Sequence, residues 1–532
     1  MSSPATPVKR ACDSCHRRKV KCIGEGTNPC KNCVSSGLTC TYNAVPQKKG
    51  PKGSRAKVLS ELRETQRQTQ LAASHHSGFP TGLDFDPQLP HSHSHHLHPQ
   101  HRSLSPTYAP TANLLRPDLV RACLDHFFHI LYPAQPVLDP QRLHDVVVAA
   151  LEGSSPAAYC LIAALCGYVL TRPDAAVPPQ ALPQVEAGGG DGDGGGSQAL
   201  QPLPGPAAAS VLAEEAARVR RGVDSVEAPT LTAVLTAYFM FCCDRALDRG
   251  KAAWADLREA TTLAVALDMH AEETYGKVAD RVLASRMRRL YWLLFIEERA
   301  YAIHHHRPVT LYPSIQLPTP DEDPTEQVSL TGFLHHINLY KPFDHTFVSL
   351  WNKAPSAAPP GWLGQLQKQL SDALPAYLST MGGGGGGGLD GNDGGSDVAA
   401  AQTVDLEVSR GWLRTMVWQL SVSQGFVSAM AQDSTMGLAY PVEISGELLA
   451  MTAQFSRQAV EVHGIGMVER LYDIASTLVD VLACAPVNAP TAYEAAGSRE
   501  YLHRFIGLLS TLPGGQSHYV PLLLSKMANA LP

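Results

Sequence analysis

Six cysteines at positions 12, 15, 22, 30, 33 and 40 constrain this chain more than any other feature, and only six more follow in the remaining 492 residues. The spacing is C-x2-C-x6-C, a seven-residue loop, then C-x2-C-x6-C again, so the segment is one short unit written twice. Two cysteines at i and i+3 at the start of a short helix put both sulfurs on one side, and a third arrives from beyond the helix. Each half therefore offers three thiolates, whereas tetrahedral zinc takes four. Two metals need eight bonds from six sulfurs, and the simplest solution is that one thiolate from each half bridges. A segment of some 30 residues has almost no apolar core, so metal binding supplies most of its folding free energy.

Other uses of clustered cysteine fit less well. RING and LIM sites need histidine among the ligands at other spacings, and a zinc knuckle needs C-x2-C-x4-H-x4-C, whereas His16 is the lone histidine between Cys12 and Cys40. A catalytic zinc keeps an open position and usually has His or carboxylate ligands. A disulfide cluster needs an oxidising compartment. The N-terminus, MSSPATPVKRACDSC, has no apolar stretch of a secretory signal. The longest apolar run, residues 157–170, is shorter than the ~20 residues a membrane span requires. The sequence is thus read as a soluble intracellular protein with no membrane partner.

Charge is divided along the chain. Residues 1–70 hold 14 Lys and Arg against four acids, a local +10, which leaves −16 on the remainder of a chain whose net charge is −6. A basic head on an acidic body points to a polyanionic partner for the head. The run HRRKVK (16–21) falls between the second and third cysteines, on the first short helix. The cysteine side of that helix is tied to metal and Val20 packs inward, which leaves Arg17, Arg18, Lys19 and Lys21 to face phosphates or a groove. Lys48, Lys49, Lys52 and Arg55, in QKKGPKGSRAK (47–57), extend the basic track and, with RRKVK, fit a nuclear import signal.

This spacing, with its basic run after the second cysteine, resembles the fungal Zn2Cys6 binuclear-cluster DNA-binding family across residues 12–40 without a gap or a substituted cysteine. The resemblance implies a small domain of two short helices and loops that holds two Zn2+ on Cys12, Cys15, Cys22, Cys30, Cys33 and Cys40. It implies Cys12 and Cys30 as the bridging pair and double-stranded DNA with CGG-type triplets as the partner. Lys19 matches the family's base-reading lysine and Arg18 its basic neighbour, with Arg17 and Lys21 assigned to phosphate. A nuclear location and a homodimer are the corresponding expectations. Val58, Leu59, Leu62 and Leu71 give only weak heptad support to a dimerisation helix, because Gln66 and Thr69 occupy seam positions.

The expected organisation is the cluster at 1–43, a basic linker and short helix at 44–72, and a disordered His/Pro/Ser-rich linker at 73–113. A large all-α regulatory body follows at 114–355, with a Gly-rich insert near 184–206. A linker with a second glycine tract spans 356–398, and a helical region spans 399–532. Helical spacing is clear at 117–131, 156–170, 210–223, 230–243, 252–269, 285–303, 413–430, 467–485 and 500–512. Neither glycine tract is a nucleotide-binding loop, since neither follows a strand nor closes on Lys-Ser/Thr.

Three stretches of the body, 125–143, 252–273 and 286–323, resemble the regulatory ("middle homology") domain of fungal transcription factors. Three departures stand out. Asp268 replaces the glycine of a Leu-Gly-Leu-His-type turn, and His306 replaces the glycine before Arg307-Pro308. Glu298 stands for the aspartate before Arg299. No nucleophile motif points to an enzyme. The triplet His304-His305-His306 has no carboxylate at suitable helical spacing, and Cys242-Cys243 read as core. The body is expected to sense a small-molecule effector or bind a co-regulator. Two readings follow for the whole: a sequence-specific transcription regulator of carbohydrate or secondary-metabolism genes, or a zinc-stabilised, sequence-blind DNA-binding adaptor whose body is an interaction scaffold. The linker at 47–66 resembles those of family members that control sugar use.

Overall fold

The structure is a computed structural model that describes residues 12, 15, 22, 29–37, 40, 41, 106–186, 200–319, 326–355, 357–359, 361–374, 394–428, 431, 433–484 and 495–531. Two compact units divide the chain, residues 1–100 and residues 101–532. Outside the described residues lie the expected dimerisation helix, the His run at 91–102, the glycine tract at 188–197 and most of that at 382–397.

In the first unit one short helix is described, α1 (Lys31–Ser35), with Cys30 as its N-cap. The second unit is helical. Its first elements are α2 (Pro117–His126), which runs on through a π turn to Leu131, α3 (Pro140–Leu151) and α4 (Pro156–Leu170). After a small hairpin come α5 (Gly205–Arg220), α6 (Leu231–Ala246), α7 (Gly250–Ala266), α8 (Glu272–Lys277) and α9 (Arg281–His305). Then follow α10 (Gln327–Tyr340), α11 (His345–Trp351), α12 (Trp362–Asp372) and α13 (Gly394–Ser423). The last are α14 (Tyr440–Thr452), α15 (Arg457–Glu461), α16 (Ile465–Cys484), α17 (Ala495–Thr511) and α18 (Val520–Ala530).

Local chemistry sets these boundaries. Helix α4 starts on Pro156 with the Ser155 hydroxyl accepting from the Ala158 N–H at 3.2 Å, and α9 starts with Asp280 accepting from Leu283 N–H at 3.0 Å. Helix α4 is apolar all round, and it is buried all round because α3, α5 and α6 surround it. Each fully buried Leu or Ile on it contributes about 1.5–3 kcal/mol. On α7 the face expected from spacing is the inward one: Leu257, Thr261 and Ala264 are buried and Trp254 stacks on Tyr301 at 5.7 Å. On α17, Leu502, Phe505 and Leu509 are buried.

One hydrophobic core runs from Leu115 to Leu523, because α13 packs on α10 and α12 on one side and on α14 and α16 on the other. The helices after residue 399 thus share a core with those before 355. The body also begins earlier than helical spacing shows. Residues 107–111 have no apolar period, yet Arg218 donates to the Thr107 and Ala109 carbonyls, and Thr111 N–H donates to Glu215 at 2.7 Å. The one strand pairing among the described residues is antiparallel, Gln184–Glu186 with Leu200–Pro202, and it closes the base of the first glycine-rich insert.

Both glycine replacements fall on left-handed backbone, Asp268 at φ 53° and His306 at φ 54°. His306 is the C-cap of α9, the place where a helix commonly ends on glycine. Asp and His are among the non-glycine residues that enter this region most readily, so the turns survive the substitutions.

The segment after α9 is fastened by buried charge. Glu326 accepts from Arg286 at 2.8 and 2.9 Å, from Arg289 at 2.5 Å and from the Tyr132 hydroxyl. Burial opposes ionisation of Glu326, but these donors outweigh it and bring its carboxyl from 4.5 to about 2. A depressed carboxylate stabilises the fold above its unfolded pKa and loses that contribution as pH falls. Acid unfolding of the wild type is therefore expected to include a loss on the order of 3 kcal/mol between pH 4.5 and pH 2. Glu326→Gln should remove that part of the pH dependence in a series of urea melts, and an unchanged slope would count against it.

Candidate metal centre and nucleic-acid interface

The described cysteines of the two halves are placed alike. Cys12 N–H points at the Cys22 sulfur at 3.4 Å, and 18 residues on Cys30 N–H points at the Cys40 sulfur at 3.3 Å. Within each half the second cysteine turns back on the first: Cys15 N–H lies 3.4 Å from Cys12 Sγ, and Cys33 N–H lies 3.4 Å from Cys30 Sγ. The second of these is the N-cap of α1, so the helix start and the sulfur cluster are built by the same bond.

Between the halves the sulfurs meet crosswise. Cys12 Sγ is 3.7 Å from Cys30 Sγ and 3.5 Å from Cys33 Sγ, while Cys15 Sγ is 3.5 Å from Cys30 Sγ. The first cysteine of each half thus touches the first and second of the other. Sulfurs set tetrahedrally at about 2.3 Å from a zinc lie about 3.8 Å apart, so this spacing suits metal-bound thiolates. The sulfurs of Cys12, Cys15, Cys30 and Cys33 all lie within 4.8 Å of one another and these residues are buried, with Cys22 and Cys40 half-buried against them.

Such a cluster cannot hold several negative charges without a cation. Burial followed by contact with the Cys30 thiol pushes Cys15 up, and the same two causes raise Cys33 to about 12. Cys30 alone moves the other way, to about 6. Burial opposes its ionisation, but the Cys33 N–H and the thiols of Cys15, Cys33 and Cys12 together outweigh burial. Thiols must give up their protons to hold a metal, so acid weakens metal binding at this cluster. Among the described residues the cluster is all thiolate, a donor set that suits a structural zinc and not a catalytic one.

The basic residues expected to meet DNA, Arg17, Arg18, Lys19, Lys21, Lys48, Lys49, Lys52 and Arg55, lie outside the described residues.

The body brings together a second group that spacing along the chain does not reveal. His304, His305 and Glu469 present ligand atoms within 4.8 Å of one another. Glu469 is already paired with Arg245, and His304 Nδ1 is 2.7 Å from Asp473, which also accepts from Trp412 Nε1 at 2.9 Å. A guanidinium on the one carboxylate makes the group an ion-pair network and not a metal centre. Glu469 lies 165 residues from His304, so no local motif announces it. Cys242 and Cys243 are buried in α6, and burial raises both thiols.

Comparison with known proteins places the cysteine repeat in a defined family: the model of the fungal Zn(2)-Cys(6) binuclear cluster domain matches residues 10–50. Over 481 residues the chain is 22% identical to the maltose fermentation regulatory protein MAL13 of Saccharomyces cerevisiae, which covers 90% of this chain and 85% of that protein. It is 24% identical over 516 residues to the probable sucrose utilization protein SUC1 of Candida albicans, covering 95% and 84%. It is 23% identical over 272 residues to the respiratory transcription factor ZNF1 of S. cerevisiae, covering 51% and 54%.

Proposed function

We propose that this zinc-cluster transcription factor reads CGG-type triplets in DNA and controls genes of carbohydrate use in the nucleus. The observation that carries the reading is the crosswise sulfur arrangement of residues 12–40 on the most basic part of an otherwise acidic chain. Six thiolates shared between two zinc ions hold together a segment too small to fold alone, the same segment whose sequence carries the HRRKVK run. Zinc supplies the folding free energy of that segment, and the protein's own Lys and Arg do the reading. Relatives named for maltose fermentation regulation and for probable sucrose utilization, matched along most of their length, support the carbohydrate assignment over secondary metabolism. The helical body is the regulatory part, and the acidic balance keeps it off the DNA that the head binds.

Within the head, Lys19 is assigned to a guanine O6/N7 edge, Arg18 beside it, and Arg17 and Lys21 to phosphates, with Lys48, Lys49, Lys52 and Arg55 tracking the backbone. Lys19→Ala should cost about 1–3 kcal/mol and relax preference at one base of the triplet. Lys21→Ala should weaken all duplexes alike and reduce the salt slope by about one unit. Fluorescence anisotropy of the full-length protein on single-base-variant duplexes at several salt concentrations reads both. If Lys19→Ala keeps the wild-type order of preference, the base-reading assignment is wrong. Salt-driven binding with no preference in the wild type would favour the adaptor reading instead.

A further inference from the structure

We propose that His336 is a proton-operated latch in the helical body: uncharged, it ties α10 to α13 and α16, and on taking up a proton it loosens that junction. The junction joins the helices before residue 355 to those after 399, so acid becomes an input to the regulatory body.

The latch closes as a ring of side chains. His336 stands on α10, and α13 packs on both α10 and α16. His336 Nδ1 faces Asp405 Oδ2 of α13 at 3.4 Å, and its Nε2 is 3.0 Å from Ser409 Oγ, one turn further along α13. Arg470 of α16 completes the ring, because it pairs with Asp405 at 2.8 Å and donates to the same Ser409 hydroxyl. Asp405 and Ser409 are buried. His463, in the turn before α16, stands 3.7 Å from Asp405 and donates from Nε2 to the Ala401 carbonyl at 2.9 Å.

These partners set the protonation of His336. A carboxylate only accepts, so the ring proton sits on Nδ1 toward Asp405, and Nε2 is left to accept from the Ser409 hydroxyl. Ser409 in turn accepts from Arg470, so donors and acceptors alternate around the ring while the imidazole is neutral. A second ring proton must go on Nε2. It then points at an oxygen that already receives a guanidinium N–H. Two cationic donors converge on one buried hydroxyl, and the hydrogen of that hydroxyl loses its acceptor.

The surroundings oppose the charge as well. Burial acts most strongly against ionisation of His336, Asp405 favours it, and Arg470 and His463 act against it again, which brings the ring from 6.5 to about 4. Glu297 of α9 faces the same space but is engaged by Arg245 at 3.2 Å, and Tyr340 packs on the ring from the next turn of α10 at 5.7 Å. Burial also holds His463 below its ordinary value, with Asp405 opposing and Arg470 and Arg172 adding to the effect. A ring held below its unfolded value takes up its proton less readily in the closed junction than in the loosened one. Stability of the junction is therefore full above pH 6.5 and is lost as pH falls from 6.5 toward 4. That window lies above the one in which Glu326 titrates, from 4.5 to about 2.

Hydrogen–deuterium exchange of the zinc-loaded full-length protein at pH 7 and pH 5, corrected for intrinsic exchange, tests this. At the lower pH, α10 and the turns of α13 and α16 around Asp405 and Arg470 should lose at least about tenfold in protection, while α5, α6 and α7 keep theirs. His336→Gln, which cannot take up the proton, should make that loss several-fold smaller. His336→Asn, with the same groups on a shorter side chain, carries the test if the glutamine variant fails to fold. Unchanged protection in the wild type, a loss that begins in α5, α6 or α7 instead, or an equal loss in the variants would overturn the proposal. The wild-type pattern decides even if neither variant folds.

Discussion

Cys30→Ser is expected to remove both zinc ions and abolish specific DNA binding, whereas Cys40→Ser removes mainly one zinc. The difference follows from where the two sulfurs sit. Cys30 Sγ lies against Cys12 at 3.7 Å and Cys15 at 3.5 Å and accepts the N–H that begins α1, so it belongs to both halves at once. Cys40 is half-buried at the edge and receives the Cys30 N–H. A bridging thiolate completes two tetrahedra, and zinc binding worth on the order of 10 kcal/mol is the folding free energy of the domain. Native mass spectrometry gives the zinc count per chain, and anisotropy on a CGG duplex gives the loss, expected to be at least about 1,000-fold toward non-specific binding. Two zincs retained in Cys30→Ser would show that Cys30 does not bridge.

The second large effect lies in the body. Glu298 is fully buried and accepts from Thr310 N–H at 2.9 Å, Thr310 Oγ1 at 2.6 Å, Leu311 N–H at 2.9 Å and Arg258 Nη1 at 2.9 Å. Its neighbour Arg299, also fully buried, donates to the carbonyls of Phe343 and Leu311 at 2.9 Å each. Together they tie α9 to the segment after its left-handed cap at His306 and to the loop before α11. Glu298→Ala leaves the buried Leu311 N–H without its acceptor, takes one acceptor from the Thr310 N–H and from the Arg258 guanidinium, and removes the carboxylate beside the buried Arg299 guanidinium, so it should cost about 3–5 kcal/mol. Glu298→Gln, which keeps one acceptor oxygen, should cost less. Urea unfolding followed by tryptophan fluorescence measures both, and a loss below about 1 kcal/mol in the alanine variant would show that these bonds are not what fastens the segment.

What could be read from the sequence was what is periodic or local. The cysteine intervals announce a doubled metal unit before any coordinates, because three ligands in a C-x2-C-x6-C half cannot close a tetrahedron alone. Helices α7 and α17 were legible since their apolar residues recur with the helical period, and α4 since it is one long, nearly unbroken apolar run. The departures at Asp268 and His306 were also visible against the family pattern, and both turned out to mark left-handed turns.

Groups that meet only through tertiary packing were not legible. Arg245 and Glu469 are 224 residues apart, and Asp473 reaches His304 across 169, so this ion-pair network has no signature in any window of sequence. Helix α12 was hidden by the prolines and glycine before it, although Leu363, Leu366 and Leu370 do keep the period and are buried. The residues at 107–111 look like linker, and they join the body only because Arg218 and Glu215 of α5 collect their backbone groups.

The most direct test of the account is an anisotropy titration of the full-length protein against a CGG-containing duplex and a scrambled duplex of equal length. It is run at one salt concentration before chelation, after chelation and after zinc is restored. The account predicts a preference for the CGG duplex of about 1,000-fold or more that vanishes with the metal and returns with it. Equal affinity for the two duplexes, or a preference that survives complete removal of zinc, would contradict it.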